Sequence, residues 1–532
     1  MVQFSQTTIR LRALLRAIGH RWSKLQISHR GGTYSVERML ALSEYTQKTS
    51  MTRALLVCIF TPVPMIAVII LQELIPLQDP RDGWSANVGF WIRLAILAGV
   101  ICGTIVIHAM HMIDGISLSV FQVIALGIFV GVTFPPVGMA VAALWVFPVP
   151  FIGLLLDGLF TVEIVAAFRL MVGREGFNRI LAQRYECFKF VQYITTLVVL
   201  SVIYPAYQVL FSIAAGSRHE VLVFLMLPVL KLTMKNLLSL TIPHLEDMLP
   251  LEVVFVVDFF NAFYIVTCVQ SASSTEAVVT ILAIDISQSI LELYRLHRRT
   301  RSIARKVKQA IGSVDLNHLV LLNAVQNVCE ATTCRLKSNT SGQTRKSVVT
   351  QILDKCISRN RASVQPLSSI LTSARPSSPV DTTQEQSEQL PAKNQPNFLS
   401  EVLEVIFTSE CLVLTEYLEA VIPILYGLYV KVLVNLPSAQ YHIELVGTTV
   451  DNVDSKLQSV FVYAILEFAS LAVLVLVMRK NCGVRALYQL AFVFETQTIL
   501  VQSKLVTWAL ITLCFRVVHF GVDFTFKFSW TH

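Results

Sequence analysis

The sequence predicts an all-α membrane protein that crosses the bilayer many times. Of its 532 residues, 54% are hydrophobic and only 15% are charged, and its mean hydropathy is +0.61. Soluble domains carry about 25% charged residues, so this composition excludes an ordinary soluble multi-domain enzyme. Apolar stretches long enough to cross a bilayer recur along the chain, flanked by basic loops. Together they predict about twelve transmembrane helices, within a range of ten to twelve.

The chain divides into four regions by composition. Residues 1–53 form a basic N-terminus with leucines at helical spacing, which predicts an amphipathic helix on the cytosolic membrane surface. Residues 54–295 carry helices 1–8, and residues 401–532 carry helices 9–12. Between them, 296–400 is predicted to be a cytosolic linker. Its first part has helical apolar spacing, and its second part is rich in Ser, Thr, Gln and Pro, which is typical of disorder.

Each span is placed where an apolar run is long enough to cross the hydrocarbon core. The predicted spans are 54–74, 90–110, 116–134, 137–160, 190–214, 221–242, 251–272, 276–294, 411–434, 457–478, 486–503 and 505–526. Prolines interrupt several of them, as Pro148 and Pro150 interrupt the fourth. The last two would also fit one long broken helix, which lowers the count to eleven.

The net charge of +8 is explained by orientation. Basic residues crowd 169–189 and 295–308, and both segments fall inside when the N-terminus is cytosolic, as the positive-inside rule requires. The acidic loop 243–250 is the one segment that disagrees with this orientation, because it should lie inside but contains no Lys or Arg. Both termini are therefore expected in the cytosol, at a plasma membrane or endomembrane. An Arg-rich N-terminus is also typical of mitochondrial targeting, which is the less favoured alternative.

The same charges predict partners. We expect anionic lipid headgroups to bind the N-terminus and 295–308, since basic segments beside a span are attracted to the cytosolic leaflet. No nucleic-acid partner is expected.

Short patterns recur before the first span of three proposed units. They read Leu40–Tyr45, Phe188–Tyr193 and Leu412–Tyr417, and further on Leu251–Asp258 is similar to Tyr488–Glu495. Three units of four helices, about 36–184, 185–295 and 401–532, would then be parallel repeats about an axis along the membrane normal. The alternative is chance, because apolar sequences match one another easily.

Ionisable residues inside spans are the candidates for function, because each costs about 2.5–3.5 kcal/mol to insert at the helix centre. The candidates for a polar pathway are Lys231, Lys235, Asp258, Asp285 and Glu495. The two lysines are four residues apart and share one helix face. Asp258, Asp285 or Glu292 on the next two spans are their expected partners. Glu495 matches Asp258 in the repeat. The structural alternative is that buried ion pairs simply hold helices together.

A metal site is weakly indicated at the end of the second span. His108, His111 and Asp114 recur at every third residue. On one helix the first and last diverge by more than half a turn, and no second ligand set is evident. No metal, cofactor or catalytic residue is therefore predicted. An integral-membrane enzyme, which is disfavoured, would need these three residues to meet other ligands.

Two functions from different classes fit these observations. The favoured one is a transporter or channel-like protein with a polar pathway for an unknown small solute or ion. It predicts that Lys231, Asp258 and Glu495 approach one another or line one cavity. The alternative is a membrane scaffold or sensor that does not transport, with 296–400 as its interaction segment. It predicts a dry, closed helix bundle.

Several stretches near the C-terminus resemble a family of uncharacterised multi-pass membrane proteins from oomycete water moulds. They are Glu416–Pro423, Leu436–Tyr441, Tyr488–Gln497 and Gly521–Phe524, and they cover mainly the last quarter of the chain. The resemblance implies a membrane protein and carries no activity or catalytic residue.

Overall fold

The structure is a computed structural model of the chain. It describes residues 34–217, 219–242, 249–271, 275–311, 395–481, 485–526 and 528, with the backbone alone for 275–278, 281, 284, 285, 299, 303–311, 395–400 and 481. The N-terminal amphipathic segment up to residue 33 and the linker from 312 to 394 lie outside these residues.

Helices make up nearly all of the described chain, and no strand is assigned within it, as the predicted all-α class requires. In chain order the helices are α1 Val36–Lys48, α2 Met51–Phe60, α3 Val63–Glu73, α4 Val88–Met112, α5 Val120–Leu144, α6 Ile152–Leu155, α7 Asp157–Ala182, α8 Arg184–Ala214, α9 Glu220–Thr241, α10 Leu249–Ser271, α11 Thr275–Ile311, α12 Gln395–Leu433, α13 Val453–Asn481, α14 Ala486–Thr496 and α15 Thr498–Cys514.

Eight of the described helical segments are long and apolar enough to cross a membrane, or nine if the bent pair α14 and α15 forms one span. The α2–α3 segment counts as one of the eight. The predicted ten to twelve spans are therefore not confirmed. Neither α7 nor α11 is apolar enough over the length of a membrane span, although α11 contains the predicted span 276–294. Both helices carry many charged residues, which raises the free energy of inserting them.

Two pairs of predicted spans differ from the structure. A single helix, α5, runs through 116–134 and into 137–160, because its adjacent prolines, Pro135 and Pro136, are accommodated inside the helix. The last two predicted spans, 486–503 and 505–526, are also misplaced. The break between them lies at Gln497, where α14 and α15 meet at 87°. The broken-helix alternative describes this region better than two separate spans.

Helix α10 lies at the centre of the bundle. Its apolar window is 89% buried, whereas those of α9 and α13 are each 28% buried. It packs against α8, α9, α12, α13 and α15. A helix that is apolar all round belongs in such a position, because every face then contacts protein.

Helices α4 and α5 pack closely through glycines. A Cβ atom added to Gly99 would lie 2.7 Å from the carbonyl oxygen of Gly127, and one added to Gly127 would lie 2.8 Å from that of Gly99. Small residues allow this approach of two backbones, which stabilises helix pairs in membranes through van der Waals contact.

Segments near both ends of the described chain contact α12 or the loop that follows it. Tyr34 donates a hydrogen bond to Glu410 in the first half of α12, whereas Val517 pairs with His442 just beyond its C-terminus. The cytosolic location of both termini stays a prediction. The threefold repeat is not confirmed and stays a prediction.

Candidate functional site

The first cluster of buried charges joins α9, α10 and α12. Lys231 Nζ lies 3.2 Å from Asp258 Oδ1 and 2.7 Å from Glu419 Oε1, and Lys235 Nζ lies 2.7 Å from Asp258 Oδ2. Thr415 donates a 2.8 Å hydrogen bond to Asp258 Oδ2. The structure therefore brings together three of the predicted site residues, Lys231, Lys235 and Asp258. It adds Glu419, which sequence reasoning did not name as their partner.

Asp258 is the most enclosed member of this cluster. It is 0% exposed, and it ends a π-helical turn, Val254–Asp258, inside α10. Turns of this kind are rare and occur frequently at functional sites. The side chains of Lys231 and Lys235 are 14% and 18% exposed, so both lysines are less enclosed than Asp258.

Acidic residues extend this cluster toward α13. The carboxylates of Glu416, Glu419 and Glu467 lie within 4.8 Å of one another, and all three side chains are buried. Ser470 donates a 2.8 Å hydrogen bond to Glu416. Such a group of oxygens could hold a metal ion, since carboxylates are the ligands that hard cations prefer.

A second buried cluster joins α4, α8, α10 and α15. Lys504 Nζ lies 2.5 Å from Glu252 Oε2, 2.7 Å from His108 Nε2 and 3.2 Å from the Tyr193 hydroxyl. Tyr193 donates a 2.5 Å hydrogen bond to the same Glu252 oxygen. The four residues are at most 4% exposed. One cation and one anion thus neutralise each other where four helices meet.

The hydrogen bonds of this cluster fix the form of His108. Its Nδ1 lies 2.7 Å from the Thr104 carbonyl, which can only accept, so Nδ1 carries the proton. Its Nε2 then accepts from the Lys504 ammonium. His108 is neutral in this arrangement and serves Lys504 as an acceptor.

The weak metal candidates do not converge. His108 Nε2 is occupied by Lys504, and His111 Nδ1 lies 2.7 Å from the carbonyl of Ile107. Asp114 lies beyond the end of α4, and its backbone N–H donates to Glu186. The structure therefore does not bring His108, His111 and Asp114 together, because the two imidazoles contact different partners.

The structure separates Glu495 from its expected partners. Glu495 forms a two-pronged ion pair with Arg53, at 3.0 and 3.4 Å, and the Arg53 side chain is 65% exposed. Its match to Asp258 in sequence thus does not place it in the same cluster. The backbone of Asp285 lies in α11, but its side chain is outside the described part of the chain.

A third buried group lies where the 74–87 and 434–452 loops meet. Glu73 Oε2 accepts from Arg93 at 2.8 Å and from His442 and Ser438 at 3.2 Å each. Nearby, His519 Nε2 lies 2.7 Å from the Gln78 carbonyl, and burial lowers the pKa of His519 to about 4. These contacts hold the loops at this end of the bundle together.

Sequence reasoning missed Glu252 and Lys504 altogether. Each is a single ionisable residue in an apolar stretch, which was the available signal. Lys504 falls between the predicted spans 486–503 and 505–526 and was therefore not among the candidates inside spans, whereas it lies inside α15.

Comparison with known proteins gives no relative. No family model, curated protein or solved structure matches this chain.

Proposed function

We propose that this protein is a multi-pass membrane transporter whose solute route passes the buried charges of α9, α10 and α12. The observation that carries the proposal is Asp258, a fully buried carboxylate in a π-helical turn that contacts two lysines of α9. Ionisable residues at membrane depth are expensive, and they usually mark the route of an ion, proton or solute.

The bent pair α14 and α15 supports the same function. Membrane transporters commonly build their solute sites around discontinuous helices, because the free backbone groups at a break bind ions and polar groups. Lys504 lies on α15 less than two turns after the break at Gln497, and it contacts Glu252 of the central helix. The two charge clusters therefore share α10, which makes that helix the natural element to couple them.

The charges also allow a simpler function, in which the ion pairs only hold helices together. A membrane scaffold or sensor would need no more than that. Its proposed interaction segment lies largely outside the described residues, so no contact in the structure favours it.

The basic residues of the sequence support the proposed orientation. We place the basic N-terminal end and the 295–308 segment in the cytosol, with anionic lipid headgroups as their partners. Both termini are proposed to lie in the cytosol, and the 434–452 loop on the opposite face. The membrane is proposed to be the plasma membrane or an endomembrane.

We further propose membership of the water-mould membrane-protein family that the last quarter of the chain resembles. That membership adds no activity.

The experiment is a charge-displacement measurement on purified full-length protein in liposomes adsorbed to a solid-supported membrane. The solution is switched in turn to acetate, benzoate, lysine, phosphate, sodium and a proton step. We expect at least one solute to evoke a current in the wild type, and the Asp258→Asn variant to lose it. Glu495→Gln is the matched control, because its carboxylate lies in a surface ion pair and outside the proposed route.

The outcomes separate the two functions. A current that Asp258→Asn abolishes and Glu495→Gln retains supports transport. If no solute evokes a current, or if Asp258→Asn keeps the full current, the transport proposal is wrong and the scaffold is favoured. Protein folding is checked for each variant by gel filtration in detergent before reconstitution.

A further inference from the structure

A buried arginine beyond the end of α15 has an unusual set of partners. Arg516 is 4% exposed, and its Nη1 pairs with Glu444. Its Nε and Nη2 have no hydrogen-bond partner among the residues that the structure describes. Buried guanidinium donors are nearly always satisfied, so each such exception requires an explanation, for example a ligand that these donors bind.

The unpaired donors form one edge of the guanidinium plane. Nε and Nη2 lie side by side, with two parallel N–H bonds whose spacing matches the two oxygens of a carboxylate. Glu444 occupies the other side of the group. The arrangement therefore leaves free the pair of donors that binds a carboxylate with two hydrogen bonds, rather than two unrelated single donors.

Aromatic rings surround the same guanidinium. Its Cζ lies 4.1 Å from the ring centre of Phe263, 5.7 Å from that of Tyr426 and 5.9 Å from that of Tyr264. Phe263 and Tyr264 belong to α10, and Tyr426 belongs to α12. Apolar walls with a few convergent polar groups are typical of sites for small organic molecules.

Polar contacts hold Glu444 in place, so it cannot readily release Arg516. Gln208 of α8 donates a 2.7 Å hydrogen bond to Glu444 Oε1, and the Tyr426 hydroxyl, which also contacts Gln270 Oε1, lies 3.2 Å from Oε2. The backbone N–H of Ile443 donates to the Arg516 carbonyl, which fixes the two segments side by side. Five parts of the chain thus build the surroundings of Arg516 before any ligand is bound.

We propose that Arg516 binds the carboxylate of a small organic acid with an apolar body, through Nε and Nη2. The apolar body packs against Phe263 and Tyr426. This inference rests on the proposed transport function and names its substrate class. The site lies at the C-terminal end of α15, about 15 Å along that helix from Lys504. A bound acid would therefore begin its passage at one end of the helix that carries the second buried cluster.

The test is equilibrium binding of benzoate to the purified full-length chain in detergent, by isothermal titration calorimetry and by thermal unfolding. Benzamide is the neutral probe of the same shape, and inorganic phosphate is the anion without an apolar body. We expect benzoate to bind and to raise the unfolding temperature, with benzamide and phosphate at least about tenfold weaker, because only benzoate offers two charged oxygens and an apolar ring.

Two variants make the result specific. Arg516→Lys keeps the positive charge for Glu444 but loses the paired donors, so benzoate binding falls at least about tenfold while the fold is retained. Arg53→Gln, which replaces an arginine of an exposed ion pair, is the matched control and keeps wild-type binding. Should Arg516→Lys fail to fold, Phe263→Leu serves instead, and it weakens benzoate more than it weakens phosphate.

Each outcome decides the inference. Equal binding of benzoate and benzamide, equal binding of benzoate and phosphate, or unchanged binding by Arg516→Lys overturns it. Binding of benzoate without a current from any tested solute in liposomes retains the carboxylate site and rejects transport. A current from another solute, with no benzoate binding, rejects this site and retains the proposed function.

Discussion

Removal of the buried ammonium of Lys504 is the most direct test of the second charge cluster. In Lys504→Met the side chain keeps its length and apolar stem, but Glu252 loses its only described cation, at 2.5 Å. Breaking a buried ion pair by removing one partner costs about 3–5 kcal/mol, because the remaining charge is buried without compensation. His108 also loses the donor to its Nε2.

The double variant Lys504→Met with Glu252→Gln separates this effect from lost packing. The glutamine side chain that replaces Glu252 carries no charge, and it can still accept the hydrogen bond from Tyr193. We expect the double variant to recover most of the loss, since replacing both members of a buried pair is often close to neutral. The free energy of unfolding is measured by titration of detergent-solubilised protein with a denaturing detergent.

The control is Lys48→Met, which removes a lysine of an exposed pair with Glu44. Its free energy of unfolding should equal that of the wild type within error. The prediction fails if Lys504→Met lowers the free energy of unfolding by less than about 1 kcal/mol, which is what an exposed ion pair contributes. It also fails if the double variant is no more stable than Lys504→Met, because the loss would then come from packing.

Three further predictions test other parts of the molecule. Gly127→Leu should reduce the unfolding temperature strongly, because its Cβ would lie 2.8 Å from the Gly99 carbonyl oxygen. Gly153→Leu is the control and should leave the unfolding temperature unchanged, since its Cβ meets open space. Equal effects of the two variants would contradict the close packing of α4 and α5. Burial lowers the folded-state pKa of His519 to about 4, below the unfolded value of about 6.5. The stability contributed by the neutral imidazole is therefore complete above pH 6.5 and is lost as the pH falls toward 4. His519→Gln should flatten the stability profile in that window, and an unchanged slope would show that other groups cause it. A glycosylation acceptor inserted after Gly447 should be modified in microsomes and Asn339 should not; the reverse pattern would invert the proposed orientation.

Part of the first charge cluster could be predicted from the sequence. Lys231 and Lys235 are spaced to share a helix face, and two lysines in an apolar run require acids opposite them. Asp258 was among the expected partners, and it lies between them in the structure. Glu419 could not be chosen, because it comes from α12, almost 190 residues further along the chain.

The predictions that failed depended on where helices begin, end and bend. Lys504 was not among the candidates because the predicted spans were divided at it, but the bend lies at Gln497. Glu495 was matched to Asp258 by local pattern. A pattern gives the position of a residue along its helix and not the direction in which its side chain faces after the helices pack. Arg516 was placed inside a span, whereas it follows the end of α15.

The sequence by itself determined the class of the protein. Apolar runs of spanning length and scarce charge require helices in a bilayer, because each backbone amide must be paired within its own segment there. Only the tertiary structure decided which charges meet. Ion pairs such as Lys504 with Glu252 join residues about 250 positions apart in the chain. The geometry of this pair depends on the packing of α4, α8 and α15 around α10, a property that no single segment of the sequence contains.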